Sequence, residues 1–211
     1  MSADSLVLPP RSFADMRFAD FLSAVAAKSP APGGGAVASA SGALASALAQ
    51  MVVNYSIGKK GLLEQQEDLR LSATKLERAR AMFLELADED AAAYGHLNAL
   101  QKLPPNDARR IAELPQAQLL AVQVPRSVAA TAIDLLRLFE HLAPITNRYL
   151  RSDLGIAADL AEATVRAALW NVRINAESLP PTAKADVERE SARSEEDAGQ
   201  RRDRVRRACI V

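Results

Sequence analysis

An aspartate stands where an apolar run would be expected to continue. Between residues 62 and 97 a seven-residue spacing brings Leu62, Leu69, Leu76, Phe83, Asp90 and Leu97 onto one seam of a long helix. Leu86, Ala87, Ala93 and Tyr94 fall near Asp90 at helical spacing, which predicts a partly desolvated carboxylate with a raised pKa, as a proton donor requires. The same spacing suits an aspartate paired with a buried arginine or capping a neighbouring helix, and both readings stay open. Asp88 falls on a different face and is expected to be solvated.

A second candidate is Ser29-Pro30-Ala31-Pro32-Gly33-Gly34-Gly35-Ala36, which opens into an uncharged stretch running to Lys59-Lys60. Glycines let a backbone approach a bound group closely, and the free N–H groups and positive end of the following helix favour a carboxylate or phosphate. A Pro/Gly loop before a helix is equally simple punctuation. A third candidate is polar. At helical spacing Asp153, Ala157, Ala161, Thr164, Ala168, Asn171 and Asn175 make a stripe of small and polar residues able to line a groove for a polar ligand. Asn171 and Asn175 are poor helix formers and require side-chain partners, from a loop backbone or a substrate.

Long helices must hold these residues. Alanine and leucine dominate, aromatics are scarce and no alternating strand pattern occurs, so the 211-residue chain is expected to be all-α. The expectation is one domain, a multi-helix bundle with long central helices. A first amphipathic helix is predicted over 18–25. The next, over 36–57, has Ala36, Ala40, Ala43 and Ala47 beside Ser39 and Gly42, and the long helix covers 62–103. A short helical piece then precedes a helix over 116–141 interrupted at Pro125, a loop from Pro144 to Asn147, and a helix capped by Ser152 with Asp153 in its first turn. The closing 182–207 helix is charged and expected to be solvated and partly frayed. The uncharged 29–58 stretch is long enough for a membrane span, but its Ala, Ser and Gly content predicts a buried helix that packs closely, within the chain or against a second subunit.

Formal charge balances at zero, which gives no steering toward nucleic acid or an anionic membrane. Cys209 alone cannot form an intrachain disulfide and fits a reducing cytoplasm, and His96 and His141 are too isolated to suggest a metal site. Asp4 and Arg11 flank an apolar patch without the length or charge order of a signal peptide, so a cytoplasmic protein is expected.

Taken in order, Ser29-Pro30-Ala31-Pro32-Gly33-Gly34-Gly35, Gly58-Lys59-Lys60, Asp88-Glu89-Asp90-Ala91-Ala92-Ala93-Tyr94, Val124-Pro125, Asn147 with Ser152-Asp153, and Asn171-Val172-Arg173-Ile174-Asn175 resemble the cyclodeaminase/cyclohydrolase family. The resemblance covers nearly the whole chain. That family takes in the C-terminal domain of formimidoyltransferase-cyclodeaminase and free-standing methenyltetrahydrofolate cyclohydrolases. The resemblance implies an all-α homodimer acting on the one-carbon unit between N5 and N10 of tetrahydrofolate, with a folate as substrate and no metal or separate cofactor. It implies Asp90 as general acid/base beside Tyr94, and Pro32, Gly33, Gly34 and Gly35 as the ligand cradle. Lys59 or Lys60 would hold the glutamate carboxylates of folate, Asp153, Asn171 and Asn175 would contact the pterin or brace the catalytic loop, and Asn147 would also belong to the substrate-binding set. Cyclohydrolase is the first expected activity, cyclodeaminase the second, and a non-catalytic folate-binding helical dimer the third. The chain departs from the family pattern at Leu103-Pro104-Pro105, where relatives read Leu-Pro-Lys and place a lysine beside the site, and at Thr146, where relatives have Gly before Asn147.

Overall fold

The computed structural model describes residues 12–210, and all regular structure among them is helical. Asp4 and Arg11, on which the targeting expectation rests, lie outside the described residues. The helices are α1 (Phe18–Ala26), α2 (Gly34–Asn54), α3 (Gln66–Gln101), α4 (Ala108–Leu142), α5 (Arg151–Ala176) and α6 (Pro181–Cys209), with single 3-10 turns at Phe13–Asp15, Lys60–Gln65 and Arg148–Leu150. Helices α2, α3, α4 and α5 form a four-helix bundle in which each packs on its two neighbours around the ring, and α6 lies against α4 and α5.

The predicted seam is the core of this bundle. Leu69, Leu76 and Phe83 of α3 are fully buried together with Leu136, Phe139 and Leu142 of α4 and Leu154 and Val165 of α5, each such burial contributing about 1.5–3 kcal/mol. At its ends the seam leaves the core, because Leu62 sits at a non-helical kink in the 3-10 turn and Leu97 is half-buried.

Small residues let α2 and α3 approach each other. A Cβ added to Gly42 would lie 2.5 Å from the Phe83 ring, and one added to Gly35 would lie 2.1 Å from the Asp90 carboxylate. The pairing of 35 with 90 and 42 with 83 makes the two helices antiparallel. Gly42→Ala would drive a methyl into a filled core, so a loss of about 1–3 kcal/mol is expected. Thermal unfolding checks this, each kcal/mol lowering the Tm by roughly 2–4 °C in a chain of this size.

Four local expectations are corrected. Pro125 does not break α4, which continues through both Pro115 and Pro125. Ser152 does not cap α5; the Asn147 side chain instead accepts from the Tyr149 N–H and starts the 3-10 turn that leads into it. The middle of the α5 stripe is not a groove, since Ala157, Ala161, Thr164 and Ala168 are buried as packing surface and the Thr164 hydroxyl donates to the Leu160 carbonyl. The closing helix is not merely solvated: Val187, Ala198 and Val205 are buried, and Glu140 of α4 accepts from Arg201 at 2.7 Å and Arg204 at 2.5 Å.

Helix α2 fits its expectation on one side only. Ala38, Ala45, Ala49, Val52 and Val53 are buried, whereas Val37 and Leu44 face outward. Both α2 and α4 are long and apolar enough to cross a membrane, and about half of each apolar window is buried inside the protein.

Candidate active site

The loop before α2 and the middle of α3 meet because Gly35 has no side chain. Asp90 therefore stands at the N-terminal end of α2, facing a cavity of about 280 Å³. Its walls are Pro30, Ala31, Gly33, Gly34 and Gly35 from the loop and first turn, Asp90, Ala91, Ala93 and Tyr94 from α3, Ala121 from α4, and Asn171, Ile174 and Asn175 from α5. Gly33 is the N-cap of α2 and provides no side-chain cap, so first-turn N–H groups are left without an intrahelical acceptor beside the cavity.

Burial raises the Asp90 carboxyl above its ordinary value of 3.8. No arginine or lysine pairs with it among the described residues, so the ion-pair alternative falls away. Asp88, two residues earlier, has the opposite fate. The Ser12 hydroxyl donates to its Oδ2 at 2.5 Å and the Phe13 N–H to its Oδ1 at 2.8 Å, so it is a half-buried clasp on the turn before α1 rather than a solvated residue. Phe13 then meets Phe21 edge to face at 5.9 Å, over a small cluster with Ala36 and Ala87. The clasp and this cluster anchor the segment that carries the glycine loop.

The asparagines divide their work. Asn171 lies over the first turn of α2, its Oδ1 3.6 Å from where a Cβ on Gly34 would sit. Asn175 has a backbone partner as predicted, but from a helix and not a loop: its Nδ2 donates to the Ala121 carbonyl at 2.7 Å. Tyr94 lines the cavity and is exposed. Pro32 does not line it; its side chain is buried behind the loop, and the Ala31–Pro32 peptide is cis.

Lys59, Lys60, Asn147 and Asp153 are not at this cavity. They lie at the opposite end of α2, which at about 1.5 Å per residue puts them roughly 30 Å away within the protomer. There the Asn147 N–H donates to the Ser56 Oγ at 2.9 Å, and the Lys59 ammonium and Arg148 guanidinium lie 5.8 and 4.8 Å from the centre of the exposed Tyr149 ring. A hydrogen bond from Arg148 holds the Tyr149 hydroxyl below its usual pKa. Asp153 is half-buried in the first turn of α5. The Leu103-Pro104-Pro105 departure is not beside the cavity either. It follows the end of α3, roughly 16 Å of helix beyond Asp90, where Arg110 donates to the carbonyls of Gln101 and Leu103.

Residues 17–194 match the formiminotransferase-cyclodeaminase family. The chain belongs to this family. Its relatives include a methenyltetrahydrofolate cyclohydrolase of Methylorubrum extorquens, 34% identical over 79% of this chain and 82% of that protein. They also include formimidoyltransferase-cyclodeaminase of Rattus norvegicus, 34% identical over 81% of this chain but only 32% of the rat protein. Among solved structures, formiminotetrahydrofolate cyclodeaminase of Thermotoga maritima superposes with a TM-score of 0.85 at 31% identity, covering 93% of this chain and 96% of that one.

Sequence reasoning did not assign Pro30, Ala31, Ala91, Ala93, Ala121 or Ile174 to the site, although all six line the cavity. For Ala121 a signal was present: a proline at 125 deprives the carbonyl four residues before it of its helical donor.

Proposed function

We propose that this protein is a methenyltetrahydrofolate cyclohydrolase, and the observation that carries the reading is the unpaired, partly desolvated Asp90 carboxyl facing a cavity between a helix N-terminus and two asparagines. Water attacks the methenyl carbon and passes one proton to the Asp90 carboxylate. The tetrahedral carbinol then expels N5 as the Asp90 acid returns that proton to the leaving nitrogen. The second proton of the water leaves the carbinol oxygen for solvent as the formyl C=O forms, giving 10-formyltetrahydrofolate and, from the cationic methenyl substrate, one net proton. One group serves as base and then as acid, which is efficient when its pKa approaches the working pH. Burial favours the protonated form of Asp90, the direction that return of a proton to N5 requires. The cavity lies at the small end of ligand pockets, roughly 300–1,000 Å³, and suits the ring end of a folate with its tail outside. Loss of methenyltetrahydrofolate absorbance above the spontaneous rate tests the reading, and no acceleration by the purified protein would sink it.

The structural likeness to the Thermotoga cyclodeaminase favours a second reading, in which N10 attacks a formimino carbon and ammonia leaves. Ammonia release from formiminotetrahydrofolate separates the two.

The working form is a homodimer. Helices α2 and α5 lie side by side and antiparallel, as the contacts of Gly34 with Asn171 and of Ser56 with Asn147 require. Their outward faces expose Leu44 at 50%, Trp170 at 71% and Ile174 at 67%, large apolar groups that favour coverage. A two-fold axis through this face would bring the Lys59 end of one protomer to the Asp90 end of its partner, giving Lys59, Lys60 and Asp153 a place near the folate tail. Leu44→Glu with Trp170→Glu should convert the dimer to monomers in sedimentation velocity; a wild-type monomer would refute this assembly. The single cysteine, Cys209, supports a reducing compartment such as the cytoplasm.

A further inference from the structure

Helix α4 contains two prolines, each of which removes one N–H from the helical ladder and frees the carbonyl four residues earlier. The two sites are treated differently. Pro115 is exposed, as is Ile111 four residues before it, so water can satisfy the freed carbonyl. Pro125 and Ala121 are both buried, and there the donor is the side chain of Asn175, whose Nδ2 lies 2.7 Å from the Ala121 oxygen. Ala121 and Asn175 both line the Asp90 cavity.

We propose that Pro125 is a positioning residue for the active site: it keeps the Ala121 carbonyl free to hold the Asn175 amide in one orientation. An asparagine amide has one acceptor and one donor end. With Nδ2 committed to Ala121, Oδ1 becomes the acceptor offered to the cavity, one turn from Asn171 and across from Asp90. A buried carbonyl left without a donor is unfavourable, so the proline and the asparagine specify each other. An alanine at 125 would restore the N–H, return the Ala121 carbonyl to the helical ladder and leave Asn175 free to rotate.

The test is Pro125→Ala, with Pro115→Ala as control. Helix content is expected to be unchanged and the Tm equal or higher, because helix formation no longer opposes a proline. Side-chain amide protons of Asn175, followed by NMR, are expected to lose exchange protection. The kinetic expectation rests on the cyclohydrolase reading: kcat/KM falls about tenfold, as loss of orientation at a reacting centre produces, whereas Pro115→Ala stays within about twofold. Pro125→Ala on top of Asn175→Ala should add no further loss, since the two act as one unit. Unchanged amide protection in Pro125→Ala, or full additivity in the double variant, overturns the proposal. Asn175→Asp, which keeps size but lacks the donor, provides a second route with Pro125 intact; wild-type kcat/KM in that variant also overturns it. If the wild type turns over no folate, the cyclohydrolase reading fails while amide exchange still decides the role of Pro125.

Discussion

Asp90→Asn is expected to reduce methenyltetrahydrofolate turnover by about 10²–10⁴-fold, the range a positioned general acid/base contributes, with the helical fold intact. The amide fills the same space beside Gly35 but can neither take a proton from water nor return it to N5. The same substitution should raise stability at neutral pH. The folded-state pKa of Asp90 lies above its ordinary value of 3.8, so the folded protein binds the proton more tightly than the unfolded chain. Its contribution is fully present below about pH 3.8 and is lost as pH rises through the folded pKa. Asparagine is neutral throughout and escapes that loss. Thermal melts of the two proteins should therefore coincide below pH 3.8 and separate above it, with Asp90→Asn the higher. A variant less stable than wild type at pH 7 would mean that the carboxylate makes favourable contacts in the fold, contrary to its assignment.

Gly35→Ala is expected to cost activity of comparable size by a different route. Helix propensity favours alanine over glycine by roughly 1 kcal/mol, so secondary structure does not oppose the change. The new Cβ, however, would fall 2.1 Å from the Asp90 Oδ2, and the carboxyl must swing away. Displacement of a reacting group by about 1 Å can lower rates about 10²-fold, and that is the fall expected in kcat. Gly34→Ala is the control, since its Cβ would meet Asn171 at an ordinary 3.6 Å. Steady-state kinetics of both variants decide the matter: equal losses at 34 and 35 would show that the loop is sensitive in general and that Asp90 is not the reason for Gly35.

The α3 seam was legible in the sequence because a seven-residue apolar beat survives any tertiary context, and an acid interrupting it announces an unusual environment. The glycine loop was legible as a loop, but its meeting with Asp90 depends on the packing of two helices, which no local spacing encodes. Pro125 was misread as a break because the local rule weighs only the lost hydrogen bond. The bundle buries the face of that turn carrying Ala121 and Pro125, and Asn175, 50 residues after the proline, replaces the missing donor. Lys59, Asn147 and Asp153 share an ordered motif set with Asp90, yet order along a chain says nothing of the length of helix between them. Asp88 looked solvated since its partners, Ser12 and Phe13, come from a segment with no pattern pointing to α3.

The two close approaches between α2 and α3 also set a ruler. Gly35 faces Asp90 and Gly42 faces Phe83, seven residues apart on each helix, so the helices engage like a rack whose teeth repeat every two turns. One tooth is part of the core and the next is the proton carrier. A single-residue deletion between 84 and 89 would rotate everything beyond it by about 100° on α3, moving Asp90 away from its notch while Phe83 stayed seated. Folding therefore gauges the chemistry: seating Phe83 in Gly42 places the acid before any ligand arrives, and a ligand has only to find it.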